Sequence, residues 1–419
     1  MASFSFGAGN ARKLAGIPLY AAGALLTLLV PRSRDRWVIG CAVGIADGAL
    51  ALWETARSHG VEPVWLVDGD AQAAEAAMRG IRTLPKRSLR GLWATARARV
   101  VVVTHGFGDV SRYAVTGAFV VQLWHGIPLK RIGIDSPETV RSSILPGSAL
   151  IRRLLRLMYR AGTRRISLIP AASELVRGRL ESAFSLPTTR VPVTGEPRVD
   201  VLSRGTADER RAAGRALVEA AVGPLGAARL VLYAPTWRDG AEDPAVPDAA
   251  QWDAIIDMLE RTDAVLLVRS HPLGAGEYRP PRLTGRVRVI GSDRVADITP
   301  ALAALDVLVT DYSSLVFDAS LVPVPTVFLA PDAAAYARTR GFYGQYEDVA
   351  GPAWATDWTE AVPQIAATLT DPVEHGRRTR RARELSDRIH AFDDGRNTER
   401  VYRAIVAALH HRIHTGGRS

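Results

Sequence analysis

Phe119-Val-Val-Gln-Leu-Trp-His-Gly-Ile-Pro-Leu-Lys130 is the stretch that indicates the fold most clearly. Its first five residues are a short, mainly apolar run, which predicts a buried strand. The strand ends beside Trp124, and His125 follows on a turn that Gly126 permits. In open α/β sheets, ligands bind at the carboxyl ends of the strands. His125 is therefore a candidate functional residue at such an edge.

A histidine after a strand, taken alone, is more often a core or turn residue. The second half of the chain repeats the pattern, since Leu266-Leu-Val-Arg-Ser-His-Pro272 again runs from an apolar strand into a histidine and a proline. Two strand-end histidines, His125 and His271, predict that both halves of the chain contribute to one cleft. Arg269, two residues before His271, is a candidate cation for a phosphate group.

Short apolar runs alternate with helix-forming segments along both halves, which predicts parallel sheets of the Rossmann type. The predicted strands are residues 37–41, 64–67, 100–104 and 119–123, then residues 230–233, 264–268, 287–290, 307–309 and 326–329. Pro192–Arg198 lies between the two blocks and is the predicted hinge. The tail from Arg377 to Ile413 predicts helices without a strand.

We therefore expect an α/β protein with two Rossmann-like domains facing a central cleft and helices at the C-terminus. The length of 419 residues agrees with two domains. The predicted divisions are an apolar and basic segment at 1–35, a first domain at 36–192, a second domain at 193–376, and helices and tail at 377–419.

The net charge of +10 predicts an anionic partner. No zinc-finger spacing, aromatic RNA-binding motif or helix-turn-helix signature is present, so the sequence argues against nucleic acid. The single cysteine, Cys41, excludes an intramolecular disulfide and a cysteine-based zinc site, and suits a reducing cytosol. A phosphorylated substrate and an anionic lipid surface are the remaining partner classes.

Residues 149–165 contain six arginines and no acid. Arg152, Arg156 and Arg160 recur every four residues, with Arg153 beside them, and apolar residues occupy the other face. Such a basic amphipathic helix suits an anionic membrane surface, although a core-packing helix with a solvated arginine face has the same pattern. The basic cluster from Lys86 to Arg99 and the apolar segment Ala15–Val30 favour the membrane. The apolar segment is shorter than the about 18–20 residues that span a bilayer, so we expect peripheral attachment.

Two strand exits in the second half carry candidate phosphate ligands. Asp311-Tyr-Ser-Ser314 follows a predicted strand and precedes a helical segment, so Ser313 or Ser314 is the predicted N-cap. Free backbone N–H groups at a helix start bind phosphate, although a plain capped helix has the same sequence. Tyr233–Asp239 is the other exit, and it ends in Trp237 and Arg238.

Together these segments resemble the CDP-glycerol glycerophosphotransferases of wall teichoic acid synthesis. The similar segments occur in the same order and span about residues 36 to 400. They are Trp124–Lys130, Thr194–Asp200, Tyr233–Asp239, Arg269–Pro272, Thr310–Asp318, Pro331-Asp332, Tyr336, Arg340–Tyr343 and Gly351-Pro352. Glu196 departs from the pattern, since an aromatic or other residue is more usual there.

The resemblance implies a GT-B fold, a CDP-activated polyol phosphate as donor and attachment to the cytoplasmic face of the cell membrane. It implies His125 as the base for an acceptor hydroxyl group and His271 at the transferred phosphoryl group. It also implies a donor site and an acceptor-side cleft. The expected donor ligands are Arg238, Arg269, Asp311, Ser313 and Ser314, and the expected cleft residues are Trp124, Gly126, Lys130 and Trp237.

We expect no metal or other cofactor, since arginines and a helix dipole can offset phosphate charge. The expected acceptor is lipid-linked. The sequence leaves open whether the polyol is glycerol or ribitol, and whether one unit or many are added. Two further alternatives remain: a nucleotide-sugar glycosyltransferase on the same fold, and a non-catalytic membrane-associated relative.

Overall fold

A computed structural model describes residues 17–140, 148–238, 243–270 and 278–416. These residues form two compact units. Of the described residues, the first unit takes in those up to His125, those between 131 and 200 and those from Asp394 onward. The second unit takes in residues 126–130 and the described residues between 201 and 393.

The first unit is built on a six-stranded parallel sheet with strand order β3-β2-β1-β4-β5-β6. Its strands are Trp37–Gly40 (β1), Val64–Val67 (β2), Thr83–Pro85 (β3), Val100–Val103 (β4), Phe119–Gln122 (β5) and Ile166–Leu168 (β6). All residues of β1, β2, β4 and β5 are buried, as expected for strands covered on both faces. The order reverses direction at β1 and β4, as in doubly wound dinucleotide-binding folds.

Six helices accompany this sheet along the chain. They are Ile17–Leu29 (α1), Asp47–Ser58 (α2), Asp70–Met78 (α3), Leu89–Arg97 (α4), Ala149–Thr163 (α5) and Glu174–Phe184 (α6). Leu52 and Trp53 of α2 pack against Ile39 of β1 and Val102 of β4 in the core. Burial of such apolar surface is the main stabilising contribution to the unit.

The second unit is built on a five-stranded parallel sheet with strand order β11-β10-β7-β8-β9. Its strands are Arg229–Ala234 (β7), Ala264–Val268 (β8), Val287–Val289 (β9), Val307–Thr310 (β10) and Thr326–Phe328 (β11). Its helices are Ala207–Val222 (α7), Ala249–Arg261 (α8), Leu315–Ser320 (α9), Ala333–Thr339 (α10), Glu347–Ala350 (α11), Trp358–Thr370 (α12) and Pro372–Ile389 (α13). Trp252 of α8 and Trp358 of α12 pack with the buried residues of β7, β8 and β10.

The last helix, Asn397–Gly416 (α14), returns to the first unit, where Val401, Ile405 and Leu409 join the core. Asp200, two residues beyond the predicted hinge segment, holds the start of α14. The carboxylate of Asp200 accepts hydrogen bonds from the backbone N–H of Asn397 at 2.9 Å and from the Thr398 hydroxyl group at 2.6 Å. These bonds satisfy donors that a helix start leaves unpaired.

The structure confirms the two parallel sheets, each of the predicted strands to within one residue at either end, and a strand-free C-terminal region. β3 and β6 are two strands that the sequence analysis missed. Both are only three residues long, and β3 contains Pro85, so neither produces an apolar run. The domain boundaries predicted at 192 and 376 compare with unit divisions at Asp200 and Asp393.

In the part of the chain that the structure describes, no helix has both the length and the apolar character needed to cross a bilayer.

Candidate active site

The turn after β5 presents the first candidate residue. Trp124 has a positive φ of 65°, which non-glycine residues rarely adopt, and Gly126 has a φ of 143°. This turn places the ring of Trp124 4.3 Å from the ring of His125 and in edge contact with Phe184 at 5.0 Å. A strained backbone of this kind is typical of a functional site.

A second histidine, His105, lies against His125. Val103 of β4 pairs with Gln122 of β5, so the residues that follow both strands meet at the same edge of the sheet. The rings of His105 and His125 stack with centroids 4.1 Å apart and planes within 4°. The sequence analysis missed His105, although Val100–Val103 followed by Thr104 and His105 has the same strand-to-histidine pattern.

Asp109 shapes the loop that carries His105. Its buried carboxylate oxygen Oδ2 accepts hydrogen bonds from the backbone N–H groups of Thr104 at 2.9 Å, His105 at 2.8 Å and Gly106 at 3.3 Å. Nδ1 of His105 is 2.9 Å from the Thr104 hydroxyl oxygen. Burial lowers the pKa of His105, against the opposing effect of the Asp109 charge, so the ring is uncharged near neutral pH.

Residues 126–130, which complete the motif, belong to the second unit. Lys130 forms an antiparallel bridge with Phe342, and Leu129 accepts a hydrogen bond from the N–H of Tyr343 at 3.0 Å. Burial lowers the pKa of Lys130 to about 8; Asp311 opposes this shift, and Arg340 adds to it. Lys130 therefore loses its proton more readily than an exposed lysine does.

Arg238 is the centre of a charge network in the second unit. Its guanidinium group donates to Asp311 Oδ2 at 2.8 Å and, through two nitrogens, to both oxygens of Asp332 at 3.0 and 2.9 Å. It also donates to the Thr236 carbonyl group. Burial disfavours the charge, but Asp332 and Asp311 outweigh burial and raise the pKa of Arg238. Most of its donors are therefore already engaged by the protein.

Aromatic rings enclose this network. The Arg238 guanidinium carbon lies 5.0 Å from the ring centroid of Tyr312 and 5.2 Å from that of Tyr336, which are cation–π distances. The Tyr312 hydroxyl group donates to Asp332 at 2.9 Å, and the Tyr346 hydroxyl group donates to the Asp311 carbonyl oxygen at 3.1 Å. Arg238 and Asp311 are thus brought together, in a rigid setting.

The other predicted donor residues have different surroundings. Arg269 donates to the carbonyl oxygens of Ile290 at 3.1 Å and Val295 at 2.8 Å, and burial lowers its pKa. Ser314 occupies the N-cap position of α9, but its side chain makes no capping hydrogen bond, whereas the Ser313 hydroxyl oxygen accepts from the Leu315 N–H at 3.3 Å. Trp237 is partly buried after β7. His271 lies outside the described residues.

The arginine-rich helix α5 combines both sequence interpretations. Leu155, Tyr159 and Thr163 are buried, so one face packs against the unit. Leu150, Leu154 and Leu157 are exposed at 77%, 52% and 55%. Exposed beside them are Arg152, Arg153, Arg156 and Arg160, which line an open depression of about 600 Å³. We call these three leucines and four arginines the Leu–Arg face.

Comparison with known proteins agrees with the resemblance that the sequence motifs indicate. The sequence profile of the family described as CDP-Glycerol:Poly(glycerophosphate) glycerophosphotransferase matches residues 35–407. The chain is similar to the teichoic acid poly(glycerol phosphate) polymerase of Bacillus subtilis (strain 168), with 26% identity over 79% of this chain and 42% of that protein. It is also similar to the teichoic acid glycerol-phosphate transferase of Staphylococcus aureus (strain NCTC 8325 / PS 47), with 27% identity over 68% of this chain and 70% of that protein. The chain thus matches less than half the length of the Bacillus relative.

Among solved structures, the wall teichoic acid polymerase TagF has the same fold. The two structures superpose with a TM-score of 0.74 at 20% identity, covering 96% of this chain and 97% of that one. This similarity confirms the predicted GT-B-like fold.

Proposed function

The chain belongs to the CDP-glycerol:poly(glycerophosphate) glycerophosphotransferase family, and we propose that it transfers a polyol phosphate from a CDP-activated donor to a hydroxyl group of a lipid-linked acceptor. Glycerol phosphate is the first candidate, because the similar Staphylococcus aureus protein is a teichoic acid glycerol-phosphate transferase and the alignment covers 70% of its length. The observation that carries the proposal is the strand-end motif Trp124–Lys130, with His125 on its strained turn.

In the proposed reaction the acceptor oxygen attacks the β-phosphorus of the donor. A new P–O bond forms to the acceptor, the bond from that phosphorus to the bridging oxygen breaks, and CMP leaves with the electron pair. The acceptor proton passes to His125, because a hydroxyl group needs a base near neutral pH and imidazole is suited to that role. The products are a phosphodiester and CMP. The role of His271 at the phosphoryl group stays a prediction.

For the donor we propose contacts from Lys130 and from the residues that open α9, Ser313 and Ser314. Positive charge and N–H groups directed at phosphoryl oxygens stabilise charge that builds up during transfer. Arg238 supports the site by fixing Asp311 and Asp332, since these carboxylates occupy most of its donors. We expect turnover without a divalent metal, so that EDTA should change the rate by less than about twofold.

The test is donor and product analysis with purified protein and lipid-linked acceptors. CDP-glycerol and CDP-ribitol should yield CMP in the presence of acceptor, and sizing the lipid product separates one added unit from many. The His125→Ala variant gives the background rate. Release of UDP from nucleotide sugars with no CMP from either CDP-polyol would instead support the glycosyltransferase alternative.

We further propose that the protein attaches peripherally to the cytoplasmic face of the membrane through the Leu–Arg face. Exposed leucines are costly in water but favourable at the boundary of lipid headgroups and acyl chains. Each arginine near an anionic surface adds about 1 kcal/mol of attraction. A lipid-linked acceptor also requires an active site close to the bilayer.

The basic cluster from Lys86 to Arg99 contributes less charge than the sequence suggests. Asp68 pairs with Lys86 at 2.7 Å and lies 3.5 Å from Arg87, so the cluster has an acid beside it in space. Leu89 and Trp93 of α4 are nevertheless exposed, as are Leu28 and Leu29 of α1. These residues are further candidates for lipid contact.

Sedimentation with phosphatidylglycerol vesicles tests the attachment. Changing Arg152, Arg153, Arg156 and Arg160 to glutamate should abolish binding at low salt. The matched control changes four exposed arginines of the second unit, Arg261, Arg338, Arg380 and Arg383, and should bind almost as the wild type does. If binding survives the first set of changes and is insensitive to salt, the leucines of α1 are the anchor instead. No binding by the wild type would refute peripheral attachment.

A further inference from the structure

The donor and acceptor roles described above involve His125 but not His105, whose ring is stacked on it. His105 stands two residues beyond β4 and His125 three beyond β5, and their rings are parallel at 4.1 Å. Resting on the proposed function of His125 as base, we propose that His105 is a positioning residue that fixes the ring plane of His125 and stays uncharged beside it.

The first observation that supports this role is that hydrogen bonds fix the position of His105. Its Nδ1 is hydrogen-bonded to the Thr104 hydroxyl group, and its backbone N–H is bound by Asp109. Thr104 is itself fully buried, and its carbonyl oxygen accepts from the side chain of Gln122 on β5 at 3.2 Å. The loop that carries one ring is thus tied to the strand that carries the other.

The second support is the balance of charge around the pair. Asp109 faces His105 from its own loop, Cys41 at the end of β1 is 3.4 Å from the Thr104 hydroxyl oxygen, and His125 faces it from the loop after β5. Burial raises the pKa of the Cys41 thiol, so that group stays neutral. Burial likewise disfavours the imidazolium form of His105. Asp109 is therefore the charged group closest to His105 on these three elements.

An uncharged partner matters because His125 must become positive when it takes the acceptor proton. Two parallel imidazolium rings at this separation would repel each other strongly, since the Coulomb energy rises as distance and effective dielectric fall. A neutral ring face instead attracts a cation. The stack also removes rotation about the side chain of His125, and a well-placed base transfers protons more efficiently.

Three variants test the role. His105→Ala removes the ring and should lower kcat by about 10- to 100-fold, since loss of orientation costs this much, with little change in KM for the donor. His105→Phe keeps an aromatic face for stacking and should stay within about threefold of the wild-type kcat. His59→Ala is the control: His59 stacks on Tyr402 at 4.4 Å in the same unit, and its loss should leave kcat unchanged.

The pH profile separates positioning from plain packing. In the wild type, activity requires both imidazole rings to be uncharged. As the pH falls, kcat/KM should therefore decrease first with the slope expected for binding of one proton and then with the slope expected for two. In His105→Phe the second ionisation is absent, and the acid limb should follow a single proton throughout. Steepening that persists in His105→Phe overturns the proposal, as does a His105→Ala variant with kcat within twofold of the wild type.

A measurement that does not depend on turnover tests the stacking of His105 on His125 independently of the proposed function. In proton NMR, the ring current of His105 should shift the Cε1 proton of His125 upfield, and His105→Phe should retain the shift while His105→Ala loses it. Circular dichroism of each variant reports folding. If the wild type releases no CMP from CDP-polyols, the proposed function fails whatever the NMR shows; absence of the shift in an active wild type refutes the stack itself.

Discussion

The side chains around His125, at the edge of the first sheet, differ in charge from those around Arg238, at the edge of the second sheet. Around His125 lie two aromatic rings, with His105 stacked at 4.1 Å and Trp124 at 4.3 Å. Around Arg238 two carboxylates pair with the guanidinium group, and the Arg238 and Asp311 side chains are only 7% and 4% exposed. His125, the proposed proton acceptor, thus lies against two uncharged rings, whereas Arg238 is paired with two carboxylates.

This difference predicts that loss of His125 mainly alters turnover and that loss of Arg238 mainly alters stability. The charge network around Arg238 is itself part of the folded core, so its removal leaves buried charges unpaired. The His125 side chain is only partly buried, so we expect its removal to cost less stability. The four predictions below test the distinction.

The largest effect is expected from His125→Ala. Loss of a positioned base should lower kcat for CMP release by about 10²- to 10⁴-fold, while the unfolding temperature changes by only a few degrees. Steady-state kinetics with CDP-glycerol and thermal unfolding measure the two quantities. Near wild-type turnover would remove His125 from the reaction, and loss of the folded state would erase the contrast between the edges.

Arg238→Ala should show the opposite behaviour. Leaving Asp311 and Asp332 without their partner should lower the free energy of unfolding by about 3–5 kcal/mol, as measured by urea denaturation. The control is Arg282→Ala, because Arg282 also lies near two aspartates but at the surface, with 44% of its side chain exposed. That change should cost less than about 1 kcal/mol. Equal losses in both variants would contradict a buried, internally neutralised network.

Lys130 should make stability depend on pH. Its folded-state pKa of about 8 is below the ordinary value of 10.5, so between these values the unfolded chain binds more protons. Stability contributed by this site therefore rises as pH increases through that window. Relative to Lys130→Met, the wild type should gain on the order of 1–2 kcal/mol from pH 7 to 10, allowing for partial exposure. Urea denaturation of the wild type and of Lys130→Met at pH 7 and pH 10 measures the gain. An equal change in the free energy of unfolding of both proteins between these pH values would refute it.

The smallest effect is expected from Ser314→Ala. Loss of one hydrogen bond to the donor should weaken CMP binding by about 0.5–1.5 kcal/mol without affecting folding. Isothermal titration with CMP and with CDP-glycerol measures this, and Ser182→Ala in the first unit serves as a control that should bind as the wild type does. Unchanged affinity in Ser314→Ala would place the nucleotide elsewhere.

Much of the fold could be read from the sequence because buried parallel strands are continuous apolar runs. Val100–Val103 and Ala264–Val268 are examples, and each appears as a strand of a parallel sheet. Thr83–Pro85 and Ile166–Leu168 were missed because each is short and interrupted, by Pro85 in one and by Ser167 in the other, so neither is a continuous apolar run. The position of Ser314 at a helix start was predictable from local sequence as well, since capping depends on the adjacent turn.

The partners of the site residues could not be predicted in the same way. Arg238 was expected to be available for phosphate, but Asp311 and Asp332 lie 73 and 94 residues further along the chain. His105 precedes His125 in sequence with no periodic relation to it, and only the pairing of β4 with β5 brings the two rings together. Local patterns report burial and turns, whereas side-chain pairing depends on the order of strands in the sheet.

The sequence by itself determined the two parallel sheets, the family and the turn that presents His125, because apolar runs and glycine-permitted turns act through neighbouring residues. Tertiary structure alone decided which groups are charged and which are paired. The weakened proton affinity of Lys130, the engaged donors of Arg238 and the neutral ring beside His125 all follow from burial and from contacts between distant segments. Desolvation and Coulomb interactions depend on distance in space, and the fold sets that distance.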